Sequence, residues 1–378
     1  MDRRQFLQQA TLAGASLATA HLASAAQPAR PPEPSSLEAY TYRIAFGAWI
    51  NDMRSDPVPL TDWPAHQFDE CTVDSALEVM DLLAETGCKY LDAFGLWATR
   101  AYPLDIISAF QDSQRAPLLS RLFQGADQRG VRMFLPLGLM TWGYDEIIAK
   151  DPEVRRRDGV ANPSPSAMCG AREKSWYYIE KIIDTAMQQY PFAGIHMESA
   201  DQGYCACAEC AGGLGVVGYN AKLNARCADY VKSKYPGTIT MTIPINWLPG
   251  AMPAVGVTPR FNAEEMGHII DLSKHIDIFM DQGHQWTFTP PERIRELHCA
   301  YGTSGGRWLY HSARYDRLAF FVPNPRETVA NIRQHHTLGE IRYQFNAGER
   351  LERMRRCLIV TCHLLNTVMA AKGEPGWN

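Results

Sequence analysis

Residues 173–199 read EKSWYYIEKIIDTAMQQYPFAGIHMES and contain one complete unit of the fold. From Glu173 to Gln189 the apolar residues recur every three or four positions, the spacing of an amphipathic helix. Ala193 to Ser199 follows as a short, mostly apolar run that reads as a strand. The same alternation extends in both directions. Strand-like runs occur at Tyr42 to Asn51, Lys89 to Trp97, Val131 to Met140, Ala193 to Ser199, Ile239 to Trp247, Ile276 to Gly283, Arg307 to Ala313 and Glu340 to Phe345. Helical patterns separate them at Val73 to Glu85, Pro117 to Arg129, Glu173 to Gln189, Tyr219 to Lys234, Ala263 to Lys274, Pro291 to Ala300 and Arg326 to His335, and Ala347 to Ala371 follows the last strand. Several strands are almost continuously apolar, as strands covered by helices should be. Eight β/α units predict an α/β fold of the (β/α)8 TIM-barrel type, a single domain over 41–378. A doubly wound open sheet is the main alternative, and the absence of a glycine-rich fingerprint after the first strand weakens its dinucleotide-binding version.

The first residues read as an address and not as fold. Met1-Asp-Arg-Arg-Gln-Phe-Leu sets an arginine pair ahead of a mildly apolar, Ala-rich stretch closed by Ala23-Ser24-Ala25. This is the pattern of a twin-arginine export signal over 1–26, and it implies a periplasmic or secreted protein. The stretch is too short and too interrupted to span a bilayer, and no later stretch reads as transmembrane. A Pro-rich linker follows over 27–40. An apolar fraction of 46% and 9 tryptophans are ample for a large core. The net charge of −4 supplies no broad basic field, so neither nucleic acid nor membrane insertion after export is implied.

In a barrel of this type the active site gathers at the C-terminal ends of the strands. Those ends supply Asp52, Trp97, Trp142, Glu198, Asp201, Asn246, Trp247, Asp281, His284, His311 and Arg314. Indoles stack on the apolar faces of sugar rings while carboxylates and amides bind hydroxyls, so such a lining suits a carbohydrate. The competing reading of Trp97, Trp142 and Trp247 is that large apolar side chains are simply buried. Alternation sets Ile195, Met197 and Ser199 on one face of their strand, and His196 and Glu198 on the other. Glu198 is the first candidate for acid–base chemistry, with Asp201 or Asp281 as the second carboxylate that glycoside hydrolysis needs. A structural ion pair is the bland alternative for Glu198, and a turn cap for Asp201. Asp52, Trp97, Trp142, Asn246, Trp247, His284, His311 and Arg314 are the candidate substrate-binding residues.

Cys205, Cys207 and Cys210 place three thiols within six residues, and Cys169 lies in the loop before the preceding helix. Four cysteines in two neighbouring loops match a closed structural zinc site. Two disulfides compete in an oxidising compartment, although C-x-C spacing is awkward for an internal bridge. No catalytic cofactor is expected. The other cysteines are scattered, as isolated buried cysteines usually are.

Cys169-Gly170 and its helix, the run from Tyr190 to Asp201 and the cysteine cluster together resemble bacterial glycosidase-like TIM barrels related to the family 20 β-hexosaminidases and the α-glucuronidases. The likeness is strong over the middle third and elsewhere rests on the repeat of β/α units. In hexosaminidases an adjacent Asp-Glu pair at the fourth strand supplies the acid and the group that orients the acetamido substituent. The matching position here reads Glu198-Ser199-Ala200-Asp201. The resemblance therefore implies Glu198 as the acid, and the missing adjacent aspartate argues against acetamido-assisted hydrolysis. A uronic acid or neutral sugar stays open, with Arg314 as a carboxylate clamp. The expectation is an exported glycoside hydrolase-like enzyme. The alternatives are a metal-dependent sugar isomerase or epimerase of the xylose isomerase-like type, with Glu198, Asp281 and His311 as ligands, and a non-catalytic glycan-binding barrel.

Overall fold

Short apolar runs alternating with helices of up to 20 residues bury best when the strands lie parallel in one sheet and the helices cover its outer face. The computed structural model follows that logic. It describes residues 40–47, 70–84 in part, 89–93, 106–157, 159–160, 167–200, 204–205, 207–244, 246–248, 260–281, 288–304 and 367–371. The expected export signal and linker, the expected strands Arg307 to Ala313 and Glu340 to Phe345, and the helix Arg326 to His335 lie outside the described residues. So do Asp52, Trp97, Asp201, His284, His311 and Arg314.

The elements in order are β1 (Tyr40–Gly47), β2 (Tyr90–Ala93), α1 (Ile106–Gln111), α2 (Ala116–Gln128), β3 (Arg132–Leu137), α3 (Asp145–Lys150), β4 (Gly159–Val160), α4 (Glu173–Gln189), β5 (Gly194–Glu198), β6 (Tyr204–Cys205), α5 (Ala208–Ala211), α6 (Gly215–Lys234), β7 (Ile239–Ile243), α7 (Ala263–Leu272), β8 (Ile278–Asp281), β9 (Ala300–Ser304) and β10 (Thr367–Ala371). The strands close in the order β1-β10-β9-β8-β7-β5-β3-β2. From β1 through β2, β3, β5, β7 and β8 to β9 every pairing is parallel. β10 joins β9 to β1 and runs antiparallel to both. Among the described residues the sheet is therefore parallel over seven strands, as expected, and is closed by an antiparallel eighth.

Two sequence expectations are corrected here. The end of the expected helix Ala347 to Ala371 is strand β10, because the open edges of β1 and β9 offer unpaired backbone groups whose pairing outweighs local helical preference. The expected helix Pro291 to Ala300 shrinks to a 3-10 segment, Pro291–Glu296, and a strand begins at Ala300, whose N–H donates to the Asp277 carbonyl at 2.9 Å.

α4 matches its sequence expectation and buries Trp176, Ile179, Ile182, Ile183 and Ala186 along one stripe. Each of the larger side chains contributes about 1.5–3 kcal/mol on leaving water. The turn after α4 is held by aromatic packing: Phe123 of α2 stacks on Tyr190 at 5.1 Å and meets Phe192 edge-on at 5.0 Å. α7 begins with a capping box, in which Asn262 accepts from the N–H groups of Glu264 and Glu265 while the Glu265 carboxylate accepts from the Asn262 N–H.

Partners in a parallel ladder point to the same face. Asp92 lies level with Phe134, and Pro136 level with His196, so Asp92, Phe134, Pro136, His196 and Glu198 share one face. That face is the barrel interior, since Asp92 and His196 meet across β3 and Tyr90 packs edge-on against Phe134 at 5.6 Å. Ile195, Met197, Thr240, Thr242, Phe279, Asp281 and Tyr301 point outward toward the helices. Gly194 faces inward, where an added Cβ would stand 2.5 Å from Phe134 Cε1 and 2.6 Å from the Ile239 carbonyl oxygen. Backbone cannot yield as a side chain can. Gly194→Ala is expected to lower unfolding stability by about 1–3 kcal/mol through overpacking, measured by urea denaturation.

Candidate active site

Glu198 closes β5 on the interior face and is almost fully buried. The Trp142 indole Nε1–H donates to its Oε2 at 3.3 Å. That contact depends on a sharp turn after β3. Met140 adopts a left-handed conformation, φ 64°, and the chain folds back so that the Trp142 ring covers the backbone of Gly138. A Cβ on Gly138 would collide with the indole, so the turn requires glycine there. The Tyr144 hydroxyl donates to the Gly138 carbonyl at 2.8 Å and closes the turn, and burial pushes that phenol far above its ordinary pKa. Trp142 thus proves to be neither a simple core residue nor an exposed stacking platform. It orients a carboxylate.

One step deeper in the barrel, His196 Nδ1 and Asp92 Oδ2 lie 2.6 Å apart with no exposure to water. Sequence reading placed His196 below Glu198 and passed over Asp92. Asp92 sits inside its strand and not at its end. The available signal was a carboxylate within the apolar run Tyr90-Leu-Asp-Ala-Phe, since a charge buried in a strand needs a partner.

Two other strand-end residues do not join Glu198. Asp281 points outward, where its Oδ1 accepts from Phe288 N–H at 2.9 Å and its Oδ2 from Thr289 N–H at 2.9 Å and from the Tyr301 hydroxyl at 3.1 Å. Burial raises its pKa, and those hydrogen bonds pull the other way. Its place is that of an anchor for the chain returning to β9. The ladder parity that sets Asp281 on the outer face follows from the register of β8. Trp247 has no exposure and lies where no sugar can stack on it. Its Nε1–H donates to Ser199 Oγ at 3.2 Å. Asn246 is exposed in a left-handed conformation, φ 56°, which asparagine tolerates well.

The four expected cysteines do come together. Their sulfurs all lie within 4.8 Å of one another, buried and unbridged. Cys169 arrives from the loop between β3 and α4, and the others from the segment after β5. The antiparallel pair β4 and β6 ties the same two segments together. Hydrogen bonds from the Cys169 and Cys210 thiols hold the Cys205 sulfur far below the usual thiol pKa, while Cys169 is pushed up to about 12 by the same contact with Cys205. Among the described residues this is the group of three or more His, Cys, Asp or Glu side chains placed to share an ion.

No protein-family model matches the chain, and no curated protein matches it. Solved structures align with parts of it at low identity. A β-N-acetylhexosaminidase from Bacteroides fragilis aligns at 17% identity and a TM-score of 0.36, covering 54% of this chain and 41% of its own. An α-amylase from Anoxybacillus aligns at 12% identity and a TM-score of 0.41, covering 66% and 53% respectively. A GH20 exo-β-N-acetylglucosaminidase from Vibrio harveyi aligns at 10% identity and a TM-score of 0.38, covering 64% and 41%. This chain spans about half or less of the length of each.

The buried pair yields a direct test. Asp92→Ala removes the carboxylate that faces His196 Nδ1 at 2.6 Å in a dry interior and is expected to cost about 2–3 kcal/mol of stability, with Asp92→Asn losing less, both read by urea unfolding.

Proposed function

We propose that this chain is a glycoside hydrolase-like enzyme built on a barrel of the TIM type, acting on a carbohydrate with Glu198 as its principal acid–base group. The observation that carries the reading is the buried Glu198 carboxylate at the interior mouth of the sheet, which accepts from an indole N–H. A carboxyl group held in one orientation and largely shielded from water is suited to hand a proton to a leaving glycosidic oxygen. The second carboxyl group falls to Asp201, three residues farther along the same segment, since Asp281 is directed to the outer face. The sequence likeness of Tyr190 to Asp201 to family 20 and α-glucuronidase-type barrels supports Glu198 in the place of the acid.

The isomerase reading is weaker on one specific ground. It would need Glu198 and Asp281 to share a metal, and the ladder directs them to opposite faces of the sheet. In the hydrolase reading the protein works outside the cytoplasm, after export on the Arg3-Arg4 signal, and binds its sugar through groups above the barrel mouth.

The test is a screen of the mature chain against aryl glycosides, aryl uronides and natural oligosaccharides, with and without chelator. Chelator-resistant product release is expected. Glu198→Gln should lower kcat by about 10²–10⁴-fold while the unfolding midpoint stays close to that of the parent. Aldose–ketose conversion abolished by chelator, or turnover indifferent to Glu198→Gln, would overturn the assignment.

A further inference from the structure

The four-cysteine cluster has a geometry that packing alone does not call for. Four thiolates around one tetrahedral ion at about 2.3 Å define sulfur–sulfur edges of roughly 3.8 Å. The Cys169 sulfur stands 3.5 Å from that of Cys210 and 4.0 Å from that of Cys207. A disulfide would join sulfurs at about 2.0 Å and in pairs, whereas here all four converge. A multi-iron cluster sets several irons and sulfides between its thiolates and spreads them farther than one ion does.

The surroundings suit an anionic metal centre. The Arg157 backbone N–H donates to Cys205 Sγ at 3.4 Å. The Tyr219 hydroxyl is buried without a well-formed hydrogen bond, in the field of the Cys210, Cys205 and Cys169 sulfurs. Arg156, next to Arg157 in the chain, keeps Nη1 buried and unpaired. One divalent cation with four thiolates carries two net negative charges, and N–H groups, a hydroxyl and a guanidinium are the partners such a centre requires.

We propose that Cys169, Cys205, Cys207 and Cys210 bind one Zn²⁺ as a closed tetrathiolate centre that clasps the segment after β3 to the segment after β5. Binding releases the thiol protons to solvent, and no ligand position remains open for substrate. The clasp reaches the carboxylate through a short path. Met168, beside Cys169, donates its N–H to the Met140 carbonyl at 2.9 Å, and Met140 is the left-handed residue of the turn that carries Trp142. The centre stands whether or not the barrel turns over a sugar.

Metal analysis of the full chain, purified under reducing conditions without chelator, should give one zinc per chain. Replacement by Co²⁺ should give thiolate-to-metal charge-transfer absorption together with the intense visible bands of a tetrahedral site. Cys205→Ser and Cys210→Ser should each retain metal at least tenfold less well against a chromogenic chelator. Zinc below one-tenth per chain in the parent protein, stoichiometric iron in its place, or two disulfides among the four cysteines in peptide mass analysis would overturn the proposal. The metal count and cobalt spectrum of the parent chain decide the matter even if a variant fails to accumulate. Stoichiometric zinc with no glycosidase turnover would count against the hydrolase reading and leave the metal centre in place.

Discussion

Asp92 and His196, 2.6 Å apart and sealed from water, are the contact on which the geometry of the barrel interior turns. Neither ionisable group is tolerable there without the other. Their meeting fixes the stagger of three strands, because Asp92 lies level with Phe134 while His196 lies level with Pro136, two residues farther along β3. Slipping β5 by one residue would turn His196 to the outer face and carry Glu198 with it. The pair also acts along the strand. It sets the height and direction of the carboxylate two residues on, about 6.6 Å nearer the mouth.

The outer face of the same strand is held as firmly. Ser199, the residue after Glu198, accepts from Asn224 Nδ2 at 2.9 Å and from Trp247 Nε1, and Thr242 Oγ1 donates to Asn224 Oδ1 at 3.0 Å. All four residues are buried, so each donor left unanswered would cost about 1–3 kcal/mol. β5 is thereby pinned to α6 and β7 at the point where Glu198 leaves it. Polar residues at the strand ends are thus sorted by parity, with the inner face carrying Glu198 and the outer face tying strands to helices and returning loops. Asp281 and Glu198 have similar sequence settings and opposite duties for this reason.

Much of this was legible before any coordinates. The period of the apolar residues gave α4 to the residue, and it gave β5 to within a residue at each end, because both are long or regular enough for burial to write itself into the pattern. The four cysteines announced their meeting by spacing, and His196 and Glu198 announced their shared face by alternation. What escaped had a nonlocal cause. Thr367–Ala371 is a strand because two distant edges need a partner, and nothing within the segment says so. Asp92 matters because of a histidine more than one hundred residues away. Trp247 resembled a ligand platform because a tryptophan beyond a strand end looks the same in sequence whichever way it faces.

Register settles where Glu198 sits but not where its oxygens point, and that second question belongs to the loop above it. The aim comes from Trp142, which depends on Gly138 having no Cβ and on Met140 holding a left-handed turn. A left-handed conformation is strained for a side chain as large as methionine and persists only where its surroundings impose it. Here the imposing contact is the Met168 N–H on the Met140 carbonyl, one residue from the four-thiol cluster. The barrel and the loop thus control separate properties of one carboxylate, its position from below and its orientation from above. A change to the strands should disturb folding and the position of Glu198 together. A change to the cysteine segment acts at the far end of a continuous chain of contacts, so it can misdirect Glu198 while the barrel beneath it stays intact.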